Sequence, residues 1–181
     1  MRQPRDNAIG EFTMRCKKSL NLALLLSFSL LVSVIGCGSD KKNPLVPDIP
    51  LDELQAAPLS IQLGDQDYTL ETELWRDFMP IAPPGGHPLT ALIRVIEQNG
   101  EPISADLKAE YLWVLKGDEI WATIFSAETP PLSPQNELHK IARGGPLWET
   151  GIEVDAVVGL RLDHGPLELL RAPNQLIART D

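Results

Sequence analysis

Apolar and polar residues alternate along much of the chain after residue 59. In Tyr68–Leu74 and in Ile152–Leu162, every second residue belongs to one mainly apolar face. A period of two is typical of a strand with one buried face. Leu89–Glu97 is a nearly continuous apolar run, which is typical of a central strand. The same reasoning predicts further strands at Leu107–Leu115, Ile120–Phe125, Leu167–Arg171 and Leu176–Arg179.

Turn sequences separate these segments. Asn99–Gly100 and Asp163–Gly165 favour turns, and Gly117–Asp118 favours the two-residue loop of a β-hairpin. Asn136–Ala142 fits either a helical turn or an edge strand, and no long amphipathic helix follows residue 37. The pattern therefore predicts an all-β fold, an immunoglobulin-like β-sandwich of about seven or eight strands, with a small barrel as the alternative.

The N-terminal part of the chain has a different pattern. Arg15–Lys18 carries three basic residues, and the apolar run Leu20–Ile35 of 16 residues follows it. A membrane-spanning helix needs about 20 apolar residues, so this run fits the apolar region of a secretory signal better. An uncleaved N-terminal membrane helix is the alternative. Residues 38–58 begin with a polar stretch and contain four prolines, which predicts an extended tether with one helical turn at Leu51–Leu54.

A cysteine stands directly behind the apolar run. The pair Gly36 and Cys37 resembles the lipobox of bacterial lipoproteins. The resemblance implies cleavage between these two residues, diacylation of the Cys37 thiol and acylation of the new amino terminus. In enteric lipoproteins, an aspartate directly after the cysteine favours the inner membrane. Here Gly38 occupies that position, so the resemblance also implies a lipid anchor in the bacterial outer membrane. It leaves open whether the domain faces the periplasm or the cell surface.

The chain is therefore expected to have three parts. These are a signal peptide over 1–36, a lipidated cysteine with a proline-rich tether over 37–58, and a β-sandwich domain over 59–181. Met14 is the expected start, because residues 1–13 lack a signal-like pattern. Cleavage would also remove Cys16, so the mature chain would hold one cysteine and no internal disulfide.

The charge of the expected mature chain narrows the choice of partners. Residues 1–36 contain five Lys/Arg and two Asp/Glu, so the remaining 145 residues contain 11 basic and 23 acidic residues, a net charge of about −12. Such a surface repels nucleic acid and anionic lipid head groups. We therefore expect no nucleic-acid partner. The negative charge either serves only to keep the protein soluble or favours binding to a basic partner.

Motifs for catalysis are absent from the sequence. There is no G-x-S-x-G, H-E-x-x-H, C-x-x-C, P-loop or G-x-G-x-x-G. His87, His139 and His164 are isolated in or near predicted loops, which favours surface histidines over a zinc site. Asp65–Asp67 and Asp163 are expected to cap turns rather than to bind calcium. We therefore expect no metal, no cofactor and no catalytic residue, with paired carboxylates of an exported hydrolase as the alternative.

The four tryptophans are expected mainly in the core or at its edge, and any exposed tryptophan is a candidate for a binding surface. Trp75 shares its strand parity with Glu73, and Trp148 follows a glycine-rich loop, so these two are the best candidates for exposure. His87 lies in the loop Pro80–Pro88. Because loops on a rigid scaffold often carry binding residues, Trp75, Trp148 and His87 form the predicted binding surface.

Two segments extend the resemblance beyond the lipobox. Leu74–Pro80 and Leu169–Pro173 are similar to uncharacterised exported lipoproteins of environmental bacteria. That group has no known activity, so the resemblance implies no functional residue. The expected function is a membrane-anchored, non-catalytic binding or accessory module, with acyl chains on Cys37 in the membrane and an envelope protein or glycan as partner. The alternatives are an exported hydrolase and a protease-inhibitor-like sandwich that presents the loop Pro80–Pro88.

Overall fold

The computed structural model describes residues 45–128 and 133–181. The predicted signal peptide, its cleavage site and Cys37 lie outside the described residues. Within the described ranges the chain forms one short helix and eight strands. In chain order these are α1 (Leu51–Ala56), β1 (Ser60–Leu63), β2 (Gln66–Asp77), β3 (Thr90–Glu97), β4 (Leu107–Lys116), β5 (Glu119–Ile124), β6 (Glu137–Ala142), β7 (Glu153–Leu162) and β8 (Glu168–Thr180).

The strands form two facing sheets that share β8. Hydrogen-bonded neighbours follow the order β5-β4-β7-β8-β2-β3-β6, and β1 pairs with β2. The first half of β8 is antiparallel to β7, whereas its last residues are parallel to β2. We call β1, β2, β3, β6 and the end of β8 sheet 1, and β5, β4, β7 and the start of β8 sheet 2. The chain changes sheets between β3 and β4, between β5 and β6, and again between β6 and β7.

The all-β sandwich prediction is confirmed, and the differences lie in single elements. The ambiguous segment is the edge strand β6 rather than a helical turn. The two strands predicted at the C terminus are one strand, β8, because Asn174 adopts a left-handed φ of 54° and bends the chain without ending it. The alternation pattern does not predict β1. The hairpin at Gly117–Asp118 is confirmed, since Lys116 pairs directly with Glu119.

The space between the sheets holds the main apolar core. Every second side chain of a strand points into this space, and the inward side chains of the two sheets interdigitate there. The fully buried apolar side chains of this core include Tyr68, Leu89, Ile93, Val95, Leu112, Val158, Leu160, Leu170 and Ile177.

A β-bulge in β4 changes which side chains point inward. The register between β4 and β7 shifts between Ala109 and Tyr111, so one extra residue stands opposite the partner strand. Ala109 and Leu112 both face the main core, and Trp113 faces the opposite side of sheet 2. Sequence parity groups Trp113 with Ala109, and the bulge separates them.

A second apolar cluster covers the outer face of sheet 2. Leu54 of α1 is fully buried there, together with Trp113, Leu115 and Val157. Partly buried side chains of the segment before and within α1 pack against the same cluster, namely Val46, Ile49 and Leu51. The helix starts after Pro50, which is compatible with a helix start because proline lacks an N–H and its φ is fixed in the helical range.

This packing corrects the predicted tether. Arg171 holds the end of the segment, because its Nε donates to the carbonyl of Ala57 at 3.2 Å and its backbone N–H donates to the carbonyl of Pro58 at 2.8 Å. Residues 46–57 are therefore part of the folded domain, because their apolar side chains cover an apolar sheet face. The helical turn expected at Leu51–Leu54 is present within α1.

A buried carboxylate closes the turn after β3. Glu97 is 1% exposed, and its Oε2 accepts the backbone N–H of Asn99 at 3.0 Å and that of Glu101 at 2.7 Å. Its Oε1 also accepts Nδ2 of Asn99 at 3.2 Å. Burial raises the pKa of the Tyr68 hydroxyl, and the nearby Glu97 charge raises that pKa further. The turn predicted at Asn99–Gly100 is thus held by a side chain from the strand that it ends.

Replacing Glu97 by alanine is expected to lower the free energy of unfolding by about 2 kcal/mol, because two partly buried backbone donors lose their charged acceptor. Urea unfolding followed by tryptophan fluorescence measures the change. Glu101→Ala is the matched control, since that side chain is exposed and its loss should change stability by less than about 0.5 kcal/mol. Equal effects of the two substitutions would contradict the capping role.

Candidate functional site

Two loops meet at one end of the sandwich around a buried arginine. The β2–β3 loop (residues 78–89) and the β6–β7 loop (residues 143–152) both bind the guanidinium of Arg76, a side chain only 5% exposed. The acceptors are the carbonyls of Gly85, His87, Leu147 and Trp148. Three of these contacts measure 2.8–3.3 Å. Arg76 thus fixes the two loops to each other.

The β2–β3 loop is built from two consecutive tight turns. The N–H of Ala82 donates to the carbonyl of Met79 at 2.7 Å, and the N–H of Gly86 donates to that of Pro83 at 2.9 Å. Gly86 has a φ of +80°, and a Cβ there would lie 2.7–2.9 Å from the Phe78 ring, so only glycine fits. The turns and prolines make this loop rigid.

The loops present apolar side chains to solvent. Ile81 is 93% exposed at the outer turn, and Met79 beside it is exposed as well. Leu147 is the exposed apolar residue of the neighbouring loop. We call Met79, Ile81 and Leu147 the loop tip.

An aromatic ring ties the loop end to the C terminus. The centre of the Phe78 ring lies near two guanidinium groups, 4.9 Å from that of Arg76 and 4.0 Å from that of Arg179. Arg179 also pairs with Asp181 at 2.6 Å and lowers the pKa of that carboxyl. Arg76 therefore contacts the carbonyls of both loops and also the Phe78 ring, which Arg179 of β8 contacts as well.

Trp148 is buried rather than exposed, so this part of the predicted binding surface is wrong. Its side chain is 7% exposed and its Nε1 donates to Oε2 of Glu119 at 2.9 Å, which lowers the pKa of that carboxyl. The preceding loop lies directly on the core, since a Cβ at Gly145 would be 2.9 Å from the Trp121 ring. The glycines let the chain fold back over the sandwich and carry Trp148 inward.

Trp75 lies on the outer face of sheet 1, where it is half-buried. Its cross-strand neighbours are Thr90 on β3 and Ala178 on β8. In the adjacent row, Leu92 pairs with Ile141, and both are half-buried on the same outer face. Exposed Leu176 precedes the part of β8 that pairs with β2. We call Trp75, Leu92, Ile141 and Leu176 the Trp75 surface.

A row of charged side chains lies beside the Trp75 surface. Arg94 contacts Glu71 at 3.4 Å and Glu73 at 3.1 Å, and its Nε is buried without a hydrogen-bond partner among the described residues. Across the next strand pair, Nε2 of His139 lies 2.5 Å from Oε2 of Glu137. The outer face of sheet 1 therefore combines an apolar strip with hydrogen-bonding groups of both charges.

The structure keeps the three histidines apart. His87 has an exposed side chain, as predicted, and its backbone N–H donates to the carbonyl of Asp77 at 2.8 Å. His139 lies in β6 instead of a loop, and His164 is almost fully exposed beside Asp163. Among the described residues no group of three or more His, Cys, Asp or Glu side chains could hold a metal ion.

No family model, curated protein or solved structure matches the chain in comparisons with known proteins. The similarity of Leu74–Pro80 and Leu169–Pro173 to exported lipoproteins, like the lipobox resemblance, therefore stays a prediction. Within the residues that the structure describes, no helix is long and apolar enough to cross a membrane.

Proposed function

We propose that this protein is a lipid-anchored, non-catalytic module of the bacterial cell envelope that binds a protein partner through the Trp75 surface and the loop tip. The observation that carries the proposal is the 93% exposed Ile81 on a loop whose backbone Arg76 fixes from inside. An apolar side chain so exposed on a rigid support is suited to burial in a partner.

The energetics of association favour such an arrangement. Full burial of one isoleucine, leucine or methionine side chain contributes about 1.5–3 kcal/mol. Tryptophan is among the residues that most often dominate interface energies, and Trp75 is half-exposed beside apolar neighbours. Because Arg76 already orders both loops, binding requires little further ordering.

A protein partner fits the surface better than a glycan does. Stacking on a sugar uses one exposed aromatic face with polar groups around it, which Trp75 and the charged row beside it could supply. The loop tip, however, adds three exposed apolar side chains without an aromatic ring, namely Met79, Ile81 and Leu147. These fit an apolar pocket on a protein.

The anchor would hold the domain close to its membrane. If Cys37 carries the acyl chains, only the seven residues 38–44 separate it from Leu45, where the described part begins. The eight residue steps from Cys37 to Leu45 span at most about 28 Å. Because residues 46–57 pack on sheet 2, they add no further reach. The proposed partner is therefore located in or near the same membrane, which we propose to be the outer membrane.

Site-specific photo-crosslinking in cells tests the binding surface. A photoreactive amino acid at Ile81 is expected to give a discrete crosslinked protein. The same amino acid at His164, an exposed residue at the opposite end of the sandwich, is the matched control and should give none. Trp75→Ala should reduce the Ile81 crosslink at least about tenfold, because a central tryptophan carries much of the binding energy.

Two results would contradict the proposed surface. One is equal crosslinking from Ile81 and His164, which would indicate random encounters. The other is an Ile81 crosslink that Trp75→Ala leaves unchanged. The fold of the Trp75→Ala variant is checked by its urea unfolding midpoint.

A second candidate function, protease inhibition by the β2–β3 loop, is favoured by one observation. This loop protrudes and is braced from the sheet by Arg76, as an inhibitory loop must be to resist cleavage. In the same experiment, a crosslinked partner that is a protease, and that the purified protein inhibits, would support this function over simple docking.

A further inference from the structure

Strand β5 forms the free edge of sheet 2. It pairs with β4 on one side, and no strand of the described residues pairs with its other side. The hairpin between β4 and β5 fixes the hydrogen-bond pattern, because Lys116 and Glu119 flank a two-residue turn and exchange hydrogen bonds with each other. Bonded pairs then alternate along an antiparallel ladder. The backbone groups of Ile120, Ala122 and Ile124 therefore point away from β4, toward the free edge.

These outward backbone groups are largely unpaired. Within residues 45–128 and 133–181, no hydrogen bond is found for either backbone group of Ile120 and Ala122, or for the N–H of Ile124. The carbonyl of Ile124 accepts the hydroxyl of Thr123 at 3.2 Å. The chain then leaves this edge, because Ser126 binds a carbonyl of β6 through both its N–H and its hydroxyl. Strand β5 therefore offers a row of donors and acceptors to a further strand.

The side chains of β5 are mostly apolar on both faces of the sheet. Ile120 and Ala122 pack against the outer cluster that α1 covers, whereas Trp121 packs against the main core. Ile124 is 40% exposed. Edge strands of natural proteins usually carry a lysine, a proline or a β-bulge that prevents pairing with other chains. Residues 120–124 contain no charge and no proline, and their ladder with β4 has no bulge.

We propose that β5 pairs with β5 of a second copy of this chain, antiparallel about a two-fold axis at Ala122. In this register Ala122 lies opposite the same residue of the second copy, and Ile120 lies opposite Ile124 of the second copy. The three outward pairs exchange about six hydrogen bonds. Sheet 2 then continues from one copy into the other, and the contact is closed because both copies use the same edge.

The strand is complementary to itself in this register, which favours a second copy over an unrelated segment. On the outer face the two isoleucines form cross-strand pairs, and on the inner face Trp121 lies beside Thr123 of the second copy. Glu119 is the one charged residue of β5, and it lies outside the paired stretch and contacts Lys116 at 3.1 Å. The pairing therefore brings no like charges together. This site is separate from the Trp75 surface and does not depend on the proposed function.

Sedimentation equilibrium of the full chain in density-matched detergent measures the association. Two short strands make a small interface, so we expect a dimer that dissociates on dilution. Amide hydrogen exchange measured by NMR reports the site. The amide of Ala122 is expected to exchange at least about tenfold more slowly in the dimer than in the diluted monomer, whereas the amide of Trp121, which bonds to β4, is protected in both.

Two substitutions test the pairing, each by a different route. Ala122→Pro removes the N–H at the two-fold axis without removing a bond to β4, so it should raise the dimer Kd at least about tenfold. Ala122→Ser is the matched control, because it keeps that N–H and should change the Kd less than about threefold.

Ile124→Lys keeps the test valid if Ala122→Pro does not fold, because Ile124 is exposed. It introduces the lysine that edge strands commonly carry, and it should also raise the dimer Kd at least about tenfold. The lysine makes an acidic chain less negative, so repulsion between net charges would not explain the loss.

Three results would overturn the proposal. One is a monomer at every concentration up to about 0.5 mM, which would leave too little free energy for a specific dimer. Another is a dimer whose Kd is unchanged by both Ala122→Pro and Ile124→Lys, which would place the interface elsewhere. The third is protection of the Ala122 amide that does not depend on protein concentration, which would mean that the same chain covers its own edge.

Discussion

Arg76→Ala is expected to lower the free energy of unfolding by about 3–5 kcal/mol, the largest effect of any single substitution considered for this chain. The change removes a buried side chain and leaves four loop carbonyls without their charged donor. It also removes the guanidinium that links the β2–β3 and β6–β7 loops, which keep only the backbone hydrogen bonds of Leu89 to Gly145 and Pro146 among the described contacts between them. Guanidinium chloride unfolding measures the stability, and limited proteolysis within residues 78–89 reports the loop order.

Arg179→Ala is the matched control for this substitution. Arg179 contacts the same Phe78 ring, but its side chain is half-exposed and its ion pair is with Asp181. An exposed ion pair and an exposed cation–π contact contribute little to stability, so Arg179→Ala should destabilise the protein far less than Arg76→Ala. Equal losses for the two substitutions would show that Arg76 acts only through Phe78 and does not brace the loops.

Leu54→Ala is expected to lower the free energy of unfolding by about 3 kcal/mol, because it leaves a cavity between α1 and Trp113. The measurement is urea unfolding of the full chain in detergent. Leu59→Ala is the control, since that leucine is exposed just outside the helix and should change stability by less than about 1 kcal/mol.

The Leu54→Ala result decides between two roles for residues 46–57. A flexible tether would make Leu54→Ala and Leu59→Ala equally harmless. A large effect of Leu54→Ala alone would establish the segment as part of the domain. It would also support the short distance between domain and membrane that the proposed function requires.

Most of the strands are predictable from the sequence because they carry a clear local pattern. Residues Tyr68–Leu74 and Ile152–Leu162 alternate, and Gly117–Asp118 has the turn chemistry of a hairpin. Strand β1 is too short to show a pattern. The bend at Asn174 depends on one residue taking a left-handed φ, which local alternation does not reveal.

The site residues are harder to predict because their exposure depends on distant parts of the chain. Trp148 is buried because its loop folds over the core and Glu119 accepts its N–H. Trp113 faces outward because of a bulge, and α1 then covers it. Packing between segments far apart in sequence determines both positions, so strand parity alone gives the wrong face.

The burial of Arg76 could have been predicted from the alternation pattern of the strand that contains it. Arg76 shares its parity with Leu74, which places a cation on the inward face of a strand. A buried arginine needs several acceptors, and here loop carbonyls supply them. A basic residue at an inward-facing strand position, close to proline- and glycine-rich loops, therefore indicates a side chain that binds the loop carbonyls and holds the loops in place.

The proposed function depends most on the claim that Cys37 carries the lipid anchor. The direct test is the intact mass of the protein purified from bacterial membranes, compared with that of Cys37→Ala. The proposal predicts a chain that starts at Cys37 and carries added acyl mass, and an unacylated, unprocessed chain in the variant. An unprocessed, unacylated mass for the unchanged sequence would contradict it and leave Leu20–Ile35 as an uncleaved membrane segment.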